Sequence, residues 1–280
     1  MEDPKGRPTA PFDQIEPGTE LGEFSYDLTA DYVDRHLRAT EQESYPDAGL
    51  APVSILAADG VMLADRFWDI SQSVHAGQQL EVVRIPRIGD RLTVRGTARE
   101  KFVKKGRRYV VSDITTSDGR GQLVARGVTT GVLVYSEGES DADSHVQAPR
   151  PAETPPPVLE ALGPLARTMT FEKMVLYEPP GERSIHTDDG LAREAGLPAA
   201  IATGTQFLAY VFDLLYRTYG IDSVVGTSLD TRIRLPVFAG DRIETRADVL
   251  LRQASWTQHT VRCTGPHGDV IVGSARVPAK

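Results

Sequence analysis

The chain has 280 residues, 40% hydrophobic and 25% charged, which allows one large domain or two ordinary ones with a substantial core. Its net charge of −8 argues against general nucleic-acid binding, which needs a basic face. The single cysteine, Cys263, excludes an internal disulfide framework and is typical of a reducing compartment. Residues 1–11 lack the apolar core of a signal peptide, and no run reaches the roughly 20 apolar residues of a membrane helix. We therefore expect a soluble cytoplasmic protein.

The first half of the chain predicts one helix followed by strands. The apolar side chains of residues 55–68 share one broad helical face: Leu56, Val61, Met62, Leu63 and Phe67. Residues 84–92 predict a strand, a proline break, a Gly-Asp turn and another strand. An alternating run at 109–116 leads into a turn and a last strand at 123–134. We interpret the basic residues 104–108 as a solvated hairpin tip, with attraction of coenzyme A phosphates or an acidic carrier protein as the alternative.

The middle of the chain has the composition of a linker. Residues 137–144 are small and acidic, and five prolines follow between 149 and 157. Such a segment buries little apolar surface. We therefore predict an N-terminal unit at 1–136, a linker at 137–164 and a C-terminal unit at 165–280.

The second half repeats the order of features in the first. A nearly all-apolar helix is predicted at 205–219, with Gly220 as its stop. Residues 234–243 repeat the strand, proline break, Gly-Asp turn and strand, and further strands follow at 257–264 and 270–277. This shared order predicts an internal duplication. One long buried helix wrapped by a curved antiparallel sheet is the hotdog arrangement, so we predict an α+β double hotdog.

The residues that best suit chemistry lie near the start of the second buried helix. His186 could serve as a proton-transfer base, because imidazole titrates near neutrality. Gly204 could offer its N–H to a developing oxyanion, since helix N-termini carry unpaired donors and a positive dipole. Structural interpretations stay open for both: His186 could bond a loop carbonyl, and Gly204 could allow close packing of helix and sheet.

In their order, these features resemble the MaoC-like hydratase and dehydratase family, which includes R-specific enoyl-CoA hydratases. The resemblance covers residues 12–134 and 165–277, and its matching motifs lie at 74–81, 84–90, 185–186, 196–198, 201–204 and 234–241. Family members place an aspartate five residues before the histidine, then an asparagine and a proline. Here those positions hold Gly181, Arg183 and Ser184. The first half has no equivalent of the histidine segment, so we expect it to be structural and to shape a tunnel for an acyl chain.

The resemblance implies reversible hydration of an enoyl thioester carried by coenzyme A or an acyl carrier protein. It implies His186 as the base and Gly204 as the oxyanion donor, without a cofactor. The second acid–base group is open, and its candidates are Tyr177, Glu178, Glu182, Asp188 and Asp189. Glu182 lies one position from the family's aspartate. We interpret Asp188 and Asp189 mainly as caps of a short helix at 188–195, with Thr187 as another possible cap residue.

Two other functions stay open at this stage. Without the aspartate, the pocket could isomerise or cyclise a polyketide-like substrate, or the chain could be a non-catalytic binding or partner subunit. No His-x-x-x-His or Cys-x-x-Cys spacing indicates a metal site, and both monomer and homodimer are compatible with the duplication. We expect structural roles for His75, His259 and His267, and solvent-facing positions for His36 and His145.

Overall fold

The computed structural model describes residues 12–45, 47–68, 70, 73–133 and 157–279. The first half contains β1 (Glu20–Asp27), α1 (Ala30–Thr40), a 3-10 helix (Val53–Ala58), α2 (Asp59–Phe67), β2 (Ser73–Val82), β3 (Arg91–Lys104), β4 (Arg107–Ser117) and β5 (Leu123–Leu133). The second contains β6 (Glu160–Thr168), α3 (Phe171–Tyr177), α4 (Asp189–Glu194), α5 (Gly204–Tyr219), β7 (Ser228–Ile233), β8 (Arg242–Arg252), β9 (Trp256–Gly265) and β10 (Gly268–Pro278). Short 3-10 turns lie at Phe12–Gln14 and Ile221–Ser223.

All ten strands form one antiparallel sheet in the order β1-β3-β4-β5-β2-β7-β10-β9-β8-β6. Counted from the two edges, the halves have the same strand order. They join where β2 pairs with β7, from Gly77 opposite Arg232 to Glu81 opposite Ser228. This arrangement confirms the predicted α+β double hotdog.

The buried helix of the second half is α5, which extends the predicted segment by one residue to Gly204. Eleven of its sixteen residues are buried. It ends as predicted at Gly220, whose φ of 78° suits glycine and whose N–H bonds the carbonyl of Tyr216. In the first half, the predicted helix is split into the 3-10 helix and α2. The change of helical form falls at Asp59, whose carboxylate is held by Tyr26 and Thr116.

The structure locates the predicted hairpin tip and one boundary of the predicted linker. The basic hairpin tip is present, with Lys105 and Gly106 in left-handed conformations between β3 and β4. Residues 160–164 belong to β6 and not to the linker, because this strand pairs with β8 from Glu160 onward. The remaining linker prediction lies largely outside the described residues, as does His145.

The prediction that His36 faces solvent is wrong. His36 is only 5% exposed, and its Nε2 lies 2.8 Å from Ser54 Oγ. Burial lowers its pKa to about 4, because a charged imidazolium would lose hydration there. Helix α1 is buried at this point because it packs against α3, where the His36 ring contacts Tyr177.

A buried charge cluster links the two halves. Arg167 on β6 and Asp213 on α5 form an ion pair with side-chain exposures of 3% and 0%. Arg217 Nε also donates to Asp213 Oδ2, at 2.8 Å. The backbone N–H of Glu43, in the first half, donates to Asp213 Oδ1, and its carboxylate pairs with Arg217. Asp213 therefore fixes a first-half loop onto the central helix of the second half.

Two side-chain amides, one of them fully buried, reinforce this connection. Gln206 Nε2 donates to the carbonyl of Ala39 at 2.8 Å, and Gln42 Nε2 donates to the carbonyl of Ala209 at 3.1 Å. Each bond joins α5 to the end of α1 or the loop that follows it. The first-half segment 39–43 is thus held against α5 by both charge and amide contacts.

We expect Asp213→Ala to lower the free energy of unfolding by about 3–5 kcal/mol, because Arg167 would keep a buried charge without its partner. Urea unfolding measures this loss. Asp222→Ala is the matched control, since Asp222 is exposed and surface changes usually stay within about 0.5 kcal/mol. A loss for Asp213→Ala as small as that of the control would contradict the structural importance of the pair.

Asp59 gives a second, pH-dependent test. The carboxyl is 1% exposed, accepts from Tyr26 Oη at 2.8 Å and from Thr116 Oγ1, and has its pKa raised by burial to about 7. The unfolded carboxyl titrates near 3.8. Below pH 3.8 the Asp59 carboxyl is protonated in both the folded and the unfolded protein, and its contribution to stability is complete. That contribution is lost as the pH rises through about 7.

Relative to Asp59→Asn, we expect the wild-type protein to lose about 2 kcal/mol of unfolding free energy between pH 5 and pH 7. Urea unfolding of both proteins across this pH range measures the difference. Parallel stability curves for the two proteins would show that Asp59 keeps an ordinary pKa.

Candidate active site

His186 lies in a turn between α3 and α4 and is half-buried. Its Nδ1 is 2.8 Å from the carbonyl oxygen of Ile201. Because a carbonyl only accepts, Nδ1 carries the proton of the neutral ring and Nε2 carries the lone pair. No residue that the structure describes hydrogen-bonds Nε2. The backbone N–H of Ile201 also donates to Ile185, at 3.1 Å, so the histidine turn is fixed to the segment that leads into α5.

The N-terminus of α5 lies three residues beyond this anchor. Thr203 occupies the N-cap position with extended backbone, but its hydroxyl makes no capping bond; it donates to the carboxylate of Glu178. Within the described part of the chain, the N–H groups of Gly204 and Thr205 have no acceptor. They are two free donors at the positive end of a buried helix.

Gly204 also permits close packing of α5 on the sheet. A Cβ built at this residue would lie 2.7 Å from Ile233 Cδ1 at the end of β7. The packing interpretation of Gly204 and the donor interpretation are therefore compatible. Because Gly204 has no side chain, α5 can pack closely on Ile233, and the N–H of Gly204 has no acceptor within the described residues.

Tyr177 and Glu178 come from the end of α3 and meet the start of α5. Tyr177 Oη donates to Thr205 Oγ1 at 3.0 Å. Burial raises the pKa of Tyr177 far above its ordinary value, so the phenol stays neutral and cannot act as a base at physiological pH. Tyr177 is placed to anchor α3 on α5, while the half-buried Glu178 presents a carboxylate beside Thr203.

Asp188 caps α4, as the capping interpretation predicted. Its Oδ1 accepts from the N–H groups of Gly190 at 2.7 Å and Leu191 at 3.1 Å. Arg183 Nη2 lies 2.6 Å from Oδ2, and this contact is the main reason that the pKa of Asp188 is lowered. Three donors thus hold the Asp188 carboxylate, which stabilises the turn that carries His186.

The other candidates in this loop have mainly local contacts. Asp189 accepts from the N–H of Ala200 at 2.9 Å and so ties α4 to the segment before α5. Thr187 does not cap α4: its Oγ1 donates to the main-chain carbonyl of Glu182 at 2.8 Å. Gly181, at the position of the family's aspartate, has a φ of 78°, and no atom lies within 4 Å of a Cβ built there. No side chain fills the place of the missing aspartate at that residue.

The first half contributes to this region, which the sequence did not indicate. Arg35 of α1 donates from Nη2 to the carbonyls of Leu176 at 2.9 Å and of Glu178. Tyr32, one turn earlier on α1, has its pKa raised first by burial, with the charges of Asp59 and Glu178 also raising it. Since these residues lie more than 140 positions from Glu178 along the chain, no local pattern could reveal the contact.

No family model matches the sequence, and no curated protein matches it. Solved structures share the fold across nearly the whole chain. A MaoC-like dehydratase is 17% identical over 96% of this chain and 99% of its own, with a TM-score of 0.73. A MaoC-like dehydratase from Phytophthora capsici is 14% identical over 97% and 98%, with a TM-score of 0.69. A conserved hypothetical protein from Mycobacterium tuberculosis with a double hotdog fold is 14% identical over 99% of both chains, with a TM-score of 0.67.

These similarities show that the chain has the double hotdog fold of MaoC-like dehydratases. Among the described residues, no group of three histidine, cysteine, aspartate or glutamate side chains is placed to hold a metal ion. None of the described helices combines the length and the apolar character needed to cross a membrane.

The tautomer of His186 can be tested without a substrate. We expect nitrogen chemical shifts of the neutral ring to show the proton on Nδ1, because the Ile201 carbonyl accepts it. Two-dimensional NMR of 15N-histidine-labelled protein above neutral pH measures this. His267 is the internal control, since it is exposed and makes no hydrogen bond within the described residues. A His186 signal typical of the Nε2-protonated ring would contradict the assigned geometry.

Proposed function

We propose that the protein is an acyl-thioester hydratase or dehydratase that acts on 2-enoyl and 3-hydroxyacyl substrates. One observation carries the proposal. The segment of residues 201–205 holds both chemical groups. The carbonyl of Ile201 bonds His186 Nδ1 and leaves the Nε2 lone pair free, and Gly204 and Thr205 carry the free N–H groups. A base and an oxyanion donor held by one rigid segment suit proton transfer next to a carbonyl.

The chemistry follows from these two groups. Removal of the proton alpha to a thioester places negative charge on the carbonyl oxygen. His186 Nε2 is the base for this proton, and the N–H groups at the start of α5 stabilise the enolate-like oxygen. Loss of one such donor typically costs about 100- to 1,000-fold in rate. No metal or organic cofactor is needed for this sequence of steps.

The substrate's carrier and the setting of the reaction are part of the proposal. Coenzyme A and an acyl carrier protein both present acyl thioesters, and the exposed basic tip formed by residues 104–107 suits the anionic character of either. We propose a cytoplasmic protein that acts as a monomer or a homodimer.

Gly181 favours a second candidate function. With no aspartate at this position, the site could enolise, isomerise or cyclise a polyketide-like substrate, which needs only one base and a shaped cavity. Such a reaction leaves the mass of the substrate unchanged, whereas hydration or dehydration changes it by one water. Mass spectrometry of the product therefore separates the two functions. A binding or partner subunit would give no product in either assay.

We expect the purified protein to interconvert crotonyl and 3-hydroxybutyryl thioesters, tested both on coenzyme A and on an acyl carrier protein. His186→Ala should lower kcat by about 100- to 10,000-fold, the usual contribution of a positioned base. His267→Ala is the matched control and should keep full activity. Unchanged turnover in His186→Ala would show that His186 is not the base, and an inactive wild-type protein would count against the hydratase function itself.

A further inference from the structure

We infer that Glu178 supplies the second acid–base group of this site and that Arg35, from the first half, positions it. The inference rests on the proposed thioester reaction. It assigns to Glu178 the part that the MaoC-like family gives to an aspartate at the position of Gly181. It also gives the first half, through Arg35, a part in positioning the reacting groups.

The place of Glu178 is defined relative to His186 by one short segment. The Glu178 carboxylate accepts from Thr203 Oγ1, and His186 Nδ1 is bonded to the carbonyl of Ile201. Ile201 and Thr203 are two residues apart in the chain, and two residues of extended chain span about 7 Å between Cα atoms. Gly204 follows directly. The His186 ring, the Glu178 carboxylate and the first N–H of α5 are therefore all anchored within four consecutive residues, 201–204.

The contacts of Thr203 favour a chemical use of the carboxylate. A threonine at an N-cap usually accepts from a helix N–H, but here its hydroxyl donates to Glu178 and leaves the N–H groups free. The positive end of α5 also favours a carboxylate. One oxygen of the Glu178 carboxylate accepts from Thr203. Because Glu178 is only half-buried, solvent still reaches the side chain.

In hydration, the Glu178 carboxylate takes a proton from water while the oxygen of that water forms a bond to Cβ of the substrate. The electron pair of the double bond moves to the thioester oxygen, where the N–H groups at the start of α5 hold the charge. The imidazolium of His186 then returns a proton to Cα from Nε2. Dehydration is the reverse, with protonated Glu178 giving its proton to the leaving hydroxyl. Exchange of protons with solvent restores both groups.

Arg35 is the positioning residue for this carboxylate. Its guanidinium binds the carbonyls of Leu176 and Glu178 at the end of α3, which fixes where the backbone leaves the helix. Because Arg35 lies on α1, the correct geometry of Glu178 depends on the packing of the first half against the second.

The test compares Glu178→Gln, Glu178→Asp and Arg35→Met in the crotonyl thioester hydration assay. Glu178→Gln should lower kcat by about 100- to 10,000-fold, with little change in KM, and should remove the acidic limb of the pH–rate profile. Glu178→Asp should restore part of kcat and retain the limb. Arg35→Met should lower kcat less than Glu178→Gln, with little change in KM, because the carbonyls of Leu176 and Glu178 lose the donor that fixes the end of α3.

Each variant has a matched control on the same helix. Glu172→Gln on α3 and Arg38→Met on α1 change exposed residues and should leave the rate and pH profile unchanged. Thermal unfolding monitored by circular dichroism checks folding. If Glu178→Gln does not fold, the rate and acidic limb of Glu178→Asp decide. An active wild type whose Glu178 variants keep the wild-type rate and pH profile would overturn this inference alone, while an inactive wild type would overturn the proposed function beneath it.

Discussion

The site depends on a buried negative charge at Asp213. A carboxylate with no exposed surface needs donors on all sides, and here they come from β6, from α5 and from the loop after α1. This requirement fixes the first-half loop against the second-half helix. Since α1 leads directly into that loop, it also fixes α1 beside α3, where Arg35 binds the carbonyl of Glu178. Helix α1 therefore connects the two sites: the loop after it binds Asp213, and Arg35 in its middle binds the carbonyl of Glu178, the proposed acid.

The start of α5 shows where the fold accepts a cost in stability. Losing an N-cap bond usually costs about 0.5–2 kcal/mol, and Thr203 is chemically able to make that bond. The structure uses its hydroxyl to hold Glu178 instead. The N–H groups of Gly204 and Thr205 then stay without an acceptor in the described residues. A helix that is buried over most of its length leaves two donors open at the place where the thioester oxygen of the proposed substrate would develop charge.

Periodicity and repeated order were enough to predict the double hotdog and the extent of α5, while the roles of His186 and Gly204 stay predictions. These features depend on residues close together in the chain. The contact of Arg35 with Glu178 joins residues 143 positions apart, so it depends on how α1 packs on α3. The same packing buries His36, for which polarity alone predicted exposure. The sequence also could not separate Asp188 from Glu178 as the second acid–base group. The structure shows that Gly190, Leu191 and Arg183 already bind the Asp188 carboxylate, while Thr203 binds that of Glu178.

Asp59 of the first half and Gly204 of the second occupy different environments in the helices of the two halves. Asp59 lies where the 3-10 helix passes into α2, and Tyr26 and Thr116 hold its carboxyl group, which burial keeps neutral below about pH 7. Gly204 begins α5 and brings no side chain at all. The buried carboxyl group of the first half is thus bonded to protein hydroxyls, while the start of α5 leaves two backbone N–H groups without an acceptor in the described residues. The duplication allows the two copies to differ, so that one can serve packing while the other carries the proposed chemistry.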